Sequence, residues 1–279
     1  MTLKIIEKHL PNAEYFPNST PKDTIYLHHT AGSHRPDWVI DWWNKDRSKS
    51  GNKIRVGTSY VIGGKSTRNP KETKWDGLVY EAFHPSYWAH HLGIKSRKNT
   101  LLNQKSIGIE ICNYGPLTLS NEGRFFTYVK TEVPFKDVIE FSEPFRGFRY
   151  YHKYSDAQLE SLETLLYKVS LDFDIDLGKG LKNEIIKSNL QLPSILEVKE
   201  IQRWLNKNGF KDNRGRRLSE DGIPGKKTNE AKDKVGKSAF ELKQDALEGY
   251  PGIWSHSSVR KDKFDISPQP NIISLLSSF

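Results

Sequence analysis

Apolar positions in the first 115 residues fall into short runs rich in Ile, Val, Tyr and Leu, each bounded by Gly, Asn or Pro. This pattern predicts buried strands at 24–29, 58–62, 78–82 and 106–112. Between the first two, Trp38, Ile40, Trp42 and Trp43 recur at helical spacing and predict a helix over 37–44. The aromatic stretch 114–151 reads as a β-hairpin insertion, with strands at 127–131 and 138–141. A helix must follow: Ser155-Asp-Ala-Gln158 is a capping box, and Leu159, Leu162, Leu165, Leu166 and Val169 line one face behind it.

After Asp176 the pattern changes. Residues 177–192 are polar and Lys-rich, with order restarting at Pro193. Leu196, Val198, Ile201, Trp204 and Leu205 predict a helix ended by Asn208-Gly209. A charged loop then leads through Glu220-Asp-Gly-Ile-Pro224-Gly225 to a further helix carrying Thr228, Ala231 and Val235. The fold class expected is α/β: a central mixed β-sheet flanked by helices, with a small all-α insert. The boundaries expected are 1–180 for the first part of the main domain, 193–240 for the insert, and 245–279 for the returning C-terminal part.

Composition narrows the partners. The chain has 279 residues, 7 Trp, 12 Tyr and 13 Phe, enough large apolar side chains for a folded protein. Its net charge of +9 suits a polyanion such as nucleic acid, an anionic membrane or a bacterial wall. Residues 193–240 hold 12 Lys and Arg against 7 Asp and Glu, about half of that surplus. No nucleic-acid-binding motif occurs, so nucleic acid is not expected as a partner. No run approaches the roughly 18 apolar residues of a membrane helix, so membrane insertion is not expected either. The N-terminus lacks a signal-peptide pattern, which predicts synthesis in a cytoplasm. The single cysteine, Cys112, allows no intramolecular disulfide and reads as a buried small hydrophobe.

The candidate chemistry is split between the chain ends. Ile25-Tyr-Leu-His28-His29-Thr-Ala-Gly32 ends a strand on imidazoles, and His256-(x)6-Lys263-Phe-Asp265 supplies an imidazole, an amine and a carboxylate. His28, His256 and Asp265 make three ligands of the kind that hold zinc with one position open. Glu110, inside an apolar strand, is the candidate general base, and Lys263 the candidate oxyanion partner. Taken singly, each has an ordinary reading: a packed histidine, a solvated carboxylate, a charged loop.

Their order along the chain resembles the zinc-dependent N-acetylmuramoyl-L-alanine amidases of type 2, a family sharing its fold with peptidoglycan recognition proteins. The resemblance covers roughly residues 20–175 and 250–270. It places the first ligand on His28 rather than His29, the base on Glu110 of Ser106-Ile-Gly-Ile-Glu110, and the remaining ligands on His256 and Asp265, with Lys263 for the oxyanion. Trp88-Ala-His90-His91-Leu-Gly93 resembles a Trp-His-x-Gly segment that lines the family's substrate groove. His91, Trp88, His29 and Thr58 are therefore candidate substrate contacts. Three departures stand out. Thr58-Ser59-Tyr60 transfers no tyrosine role, Trp254-Ser255 replaces a glycine, and Ile266 replaces a proline after the ligand aspartate.

Residues 198–231 resemble the three-helix peptidoglycan-binding domain through Gln202-x-x-Leu205, Gly209-Phe210 and Asp221-Gly-Ile-x-Gly225-x-x-Thr228-x-x-Ala231. Together the resemblances imply Zn2+ as cofactor and bacterial peptidoglycan, through its muramyl peptide stem, as partner. The implied activity is that of a phage-type endolysin acting on the cell wall. The alternative from another class is a non-catalytic peptidoglycan recognition protein. Oligomeric state is not legible.

Overall fold

The computed structural model describes residues 3–48, 50–69, 71–191, 198–207, 209–212, 214–223 and 225–279. Pro193, Leu196, Asn208 and Pro224, used above to delimit the helical insert, lie outside the described residues. In chain order the elements begin with β1 (Ile5–Glu7), β2 (Thr24–His29), α1 (Pro36–Lys45), β3 (Tyr60–Ile62), β4 (Val79–Glu81), α2 (Asn99–Lys105) and β5 (Ser106–Ile111). Then come β6 (Pro116–Leu119), β7 (Phe125–Phe126), β8 (Glu132–Val133), β9 (Val138–Phe145), β10 (Phe148–His152) and α3 (Asp156–Phe173). The chain ends with α4 (Leu181–Gln191), α5 (Val198–Lys207), α6 (Lys226–Ser238), α7 (Gln244–Glu248), β11 (Gly252–Ser255) and α8 (Pro270–Ser278).

The central sheet has six strands in the order β1-β4-β3-β5-β2-β11. It is mixed: β3 and β4 run antiparallel, and the other pairs are parallel. β2 is buried along its whole length, as expected for a parallel strand covered on both faces. One core packs Leu162, Leu165 and Leu166 of α3, Leu181 and Ile185 of α4, and Ile272 and Leu276 of α8 against Ile25, Leu27, Ile107 and Ile109. A second core holds Ile40 and Trp43 of α1 against Val61 and Tyr80. Adjacent residues of β3 and β4 serve opposite cores because side chains alternate along a strand. The capping box on α3 is present as the sequence implies: the Ser155 side chain accepts from the Gln158 amide at 3.1 Å.

Three expectations change. Residues 127–131 are not a strand but the turn between β7 and β8, closed by Lys130 N–H donating to Thr127 O at 2.9 Å. Around it, β6 to β10 form a five-stranded antiparallel sheet in the order β8-β7-β6-β10-β9. The polar stretch before Pro193, where no order is expected, contains α4. Its buried stripe, Leu181, Ile185 and Ser188, is too narrow to stand out among lysines and asparagines. β11 has only four residues and no alternating pattern, and its pairing with β2 makes it an edge of the central sheet.

Within residues 198–240, Leu205, Leu218 and Ala231 make a small core of their own. Gln202 is its polar hub. Its amide donates to Asp221 Oδ1 (3.0 Å), Ile223 O (3.2 Å) and Thr228 Oγ1 (3.1 Å), and its carbonyl accepts from Gly222 N (2.9 Å). The signature residues of this stretch thus tie its loop to its helices. Among the described residues no helix is long and apolar enough to cross a membrane.

Candidate active site

Three neighbouring parallel strands deliver the site at their C-terminal ends. Register places His28 opposite Glu110 and Leu27 opposite Ser255, so His256 follows one step beyond β11 at the same level. Such ends, where the chain leaves the sheet, are where α/β folds expose chemistry. His256 opens a single 3-10 turn, His256–Ser258, that Ser255 caps with its side chain. Ser255 therefore organises the turn that aims the second imidazole. Ser257 N–H donates to Asp265 O at 2.9 Å and draws the aspartate segment back to the same turn. The peptide between Asp265 and Ile266 is cis.

His28, His256 and Asp265 are buried, and one ligating atom from each lies within 4.8 Å of the others. His28 Nδ1 faces His256 Nδ1 at 3.1 Å, and Asp265 Oδ2 lies 3.0 Å from the latter and 3.5 Å from the former. Hydrogen bonding behind the rings assigns their protons. His256 Nε2 is 2.8 Å from Leu92 O, a pure acceptor, so it carries the hydrogen and leaves Nδ1 with a lone pair. The Ser106 hydroxyl donates to Leu102 O (2.7 Å) and so accepts from His91 Nε2 (2.9 Å). His91 Nδ1 must then accept from His28 Nε2 (2.9 Å), leaving a lone pair on His28 Nδ1 as well. With both imidazoles neutral, two ring lone pairs and a carboxylate oxygen thus face one another, a donor set that fits a divalent cation of the zinc type.

The electrostatics agree. Burial, reinforced by His256, pushes the His28 imidazole down to about 4, so it is neutral and available as a ligand near neutral pH. Burial also takes His29 to about 4 and His91 well below the usual range. Burial alone would raise the Asp265 carboxyl, yet the adjacent His256 and His28 imidazoles hold it well below the usual carboxylate range. Glu110 goes the other way. Desolvation first, then the Asp265 charge, pushes it up to about 8 against the pull of Lys263. A carboxyl so placed is suited to move a proton near neutral pH.

A cavity of about 280 Å³ opens over these groups and is lined by His28, His256, Asp265, Glu110, Lys263, Thr58, His91 and His29. Trp88 is the exception among the nine sequence candidates. It bridges to Phe16 and stacks on that ring at 3.8 Å, with its indole N–H on Asn18, away from the cavity. His91 has both nitrogens engaged by His28 and Ser106, which leaves neither for a ligand. Thr58 donates its hydroxyl to Tyr60 O at 2.9 Å. His29 Nδ1 meets the Tyr154 hydroxyl at 3.2 Å.

Sequence reasoning missed Asn103. Its Oδ1 accepts from the amides of His91 (2.8 Å) and Leu92 (3.2 Å), fixing both the ring behind His28 and the carbonyl behind His256. Nothing local in the sequence marks it, because its full burial in α2 appears only in the fold. Gly108 also belongs to this arrangement: a Cβ there would lie 2.7 Å from Thr58 Cγ2 and 3.2 Å from His91 Nδ1.

A family model described as N-acetylmuramoyl-L-alanine amidase matches residues 18–187. Among solved structures, the catalytic domain of XlyA is 14% identical, with 63% of this chain and 81% of that one covered and a TM-score of 0.37. The E. coli amidase AmiD, in complex with anhydro-N-acetylmuramic acid-L-Ala-D-gamma-Glu-L-Lys, is 16% identical over 68% of this chain and 59% of that one, with a TM-score of 0.35. The endolysin LysCS from Clostridium intestinale URNW is 14% identical over 62% of this chain and 76% of that one, with a TM-score of 0.32. No curated protein matches.

Proposed function

The chain belongs to the N-acetylmuramoyl-L-alanine amidase family, and on that premise we propose that it is a zinc-dependent, phage-type endolysin. It cleaves the amide between N-acetylmuramic acid and L-alanine in bacterial peptidoglycan. The observation that carries this reading is the convergence of His28 Nδ1, His256 Nδ1 and Asp265 Oδ2 beside Glu110.

In this reading His28, His256 and Asp265 would hold the zinc. When bound, the ion would supply Lewis acidity toward the scissile carbonyl and acidify the attacking water. Glu110 takes the proton of the attacking water and returns it to the departing amine of L-alanine. Lys263, at the cavity wall, holds the negative charge that develops on the lactyl carbonyl oxygen. The products are a free muramic acid carboxylate and a stem peptide with a new amino terminus. His91 and Asn103 position rather than react: one fixes the tautomer of His28, and the other fixes the segment that carries His91 and Leu92.

The unit at 193–240, within a main domain formed by 1–180 and 245–279, is read as a wall-binding module. Its separate small core and the Gln202 hub support that division. The net charge of +9 supports attraction to an anionic wall, and tethering there raises substrate concentration at the site.

Purified protein assayed for bound metal and for stem-peptide release from isolated peptidoglycan tests the reading. Stoichiometric zinc and new L-alanine amino termini are expected. No metal together with no release would turn the reading toward a recognition protein.

A further inference from the structure

A second cavity, of about 470 Å³, adjoins the first and shares Thr30, Ala31, Trp43 and Glu110 with it. Its remaining walls come from separate elements. Trp38 and Trp42 stand at i and i+4 on α1 and therefore share one helix face. Tyr128 comes from the β7–β8 turn of the five-stranded sheet. These rings are 53%, 59% and 67% exposed, respectively, an unusual amount of aromatic surface to leave in water. Trp38 is held in place: the Arg35 guanidinium lies 4.2 Å over its ring and is itself ion-paired with Asp37.

The lining mixes flat aromatic faces with the backbone and hydroxyls of the turn 30–33. That combination suits a ligand with apolar C–H faces and polar edges, which is the chemistry of a pyranose ring. A cavity of this size accommodates roughly one to two saccharide rings. It adjoins the cavity over Glu110, and the acyl part of a muramoyl amide is itself a sugar in a glycan chain.

We propose that Trp38, Trp42 and Tyr128 form a glycan subsite that stacks the sugar chain on the acyl side of the scissile amide. The proposal rests on the amidase reading for the identity of the glycan. It makes the enzyme selective for glycan-borne stems over isolated muramoyl peptides, and it gives the five-stranded sheet a function through the turn it carries. Trp43, buried at the junction of the two cavities, forms the floor between sugar and scissile bond.

The direct test is binding of a peptide-free tetrasaccharide of alternating N-acetylglucosamine and N-acetylmuramic acid, followed by tryptophan fluorescence and calorimetry. The wild-type protein is expected to bind. Trp42→Ala and Tyr128→Ala should each weaken binding tenfold or more, while Trp42→Phe keeps part of it. Both side chains are exposed, so melting temperatures of the variants should match wild type and exclude misfolding. On substrates, the ratio of kcat/KM for a tetrasaccharide-borne stem to that for a single muramoyl peptide should exceed ten and collapse toward one in the variants. No glycan binding, or binding that the variants leave intact, overturns the proposal. Loss confined to a sugar-free stem peptide also overturns it, by assigning the cleft to peptide. Tetrasaccharide binding without any cleavage would instead refute the amidase reading and leave the subsite standing.

Discussion

His91 stands directly behind His28, with its Nδ1 2.9 Å from His28 Nε2, and it passes the same hydrogen-bond chain on to Ser106. The two residues are 63 positions apart in sequence, and the effect of the pair is to leave the His28 Nδ1 lone pair facing His256 and Asp265. His91→Ala removes the acceptor and should weaken zinc affinity about 10- to 100-fold, the usual cost of losing such a partner. Competition of the metal-free protein against a fluorescent chelator measures it, and unchanged affinity would refute the positioning role.

Glu110→Gln keeps the shape of the wall and removes the proton acceptor. Zinc content should stay near one per chain while hydrolysis falls about 10²- to 10⁴-fold. Stem-peptide release at saturating peptidoglycan gives the rate, and activity above a tenth of wild type would rule out Glu110 as the base.

Removing zinc should lower the melting temperature. The three converging acceptors of His28, His256 and Asp265 then face one another without a cation, and the stabilisation by bound ligand is lost. Asp265→Ala should abolish the difference between zinc-loaded and chelator-treated protein in a thermal melt.

Acid should destabilise the metal-free protein in a defined window. Burial pushes His28, His29 and His152 down to about 4, below the ordinary value of 6.5. Between those values the unfolded chain binds protons that the folded chain refuses, so stability is full above pH 6.5 and falls as pH drops toward 4. Each pH unit of that window is worth about 1.4 kcal/mol per histidine. Glu110 acts with the opposite sign: its raised pKa of about 8 stabilises the folded state at low pH, and that contribution is lost as pH rises from 4.5 to 8. Urea unfolding in chelator from pH 7 to pH 5 should therefore show a falling midpoint, with a steeper fall in Glu110→Gln. A flat profile would contradict the burial of these imidazoles.

Gly108→Ala should cost about 1–3 kcal/mol, because the new methyl meets Thr58 and His91 in a packed site. Denaturant unfolding checks the stability, and a parallel loss of zinc affinity would show that His91 has moved.

Much of the catalytic half was legible from local pattern. β2 matches its expected limits because a β-branched and aromatic run stops at Thr30-Ala31-Gly32, and α3 matches because its capping box is purely local. The placement of Trp88 was not legible: its motif suggests a groove wall, and pairing with Phe16 stacks the ring outside the cavity. The turn at 127–131 read as a strand because Tyr128 and Val129 are apolar, and exposure is not visible in a residue type. α4 was hidden by composition, since a few buried side chains suffice once α8 and β11 lie against it.

The sequence by itself determined which residues can bind a cation and move a proton, because those capacities belong to side-chain types and their order. It also set the strands and helices whose signals are local. Only the tertiary structure decided that Leu27 sits opposite Ser255 and His28 opposite Glu110, bringing the chain ends to one level. Parallel pairing leaves no local mark, since each strand's partner arrives through a long crossover. The same holds for the proton assignments at His28 and His256: they follow from His91, Ser106 and Leu92, groups that chain folding alone places behind the two rings.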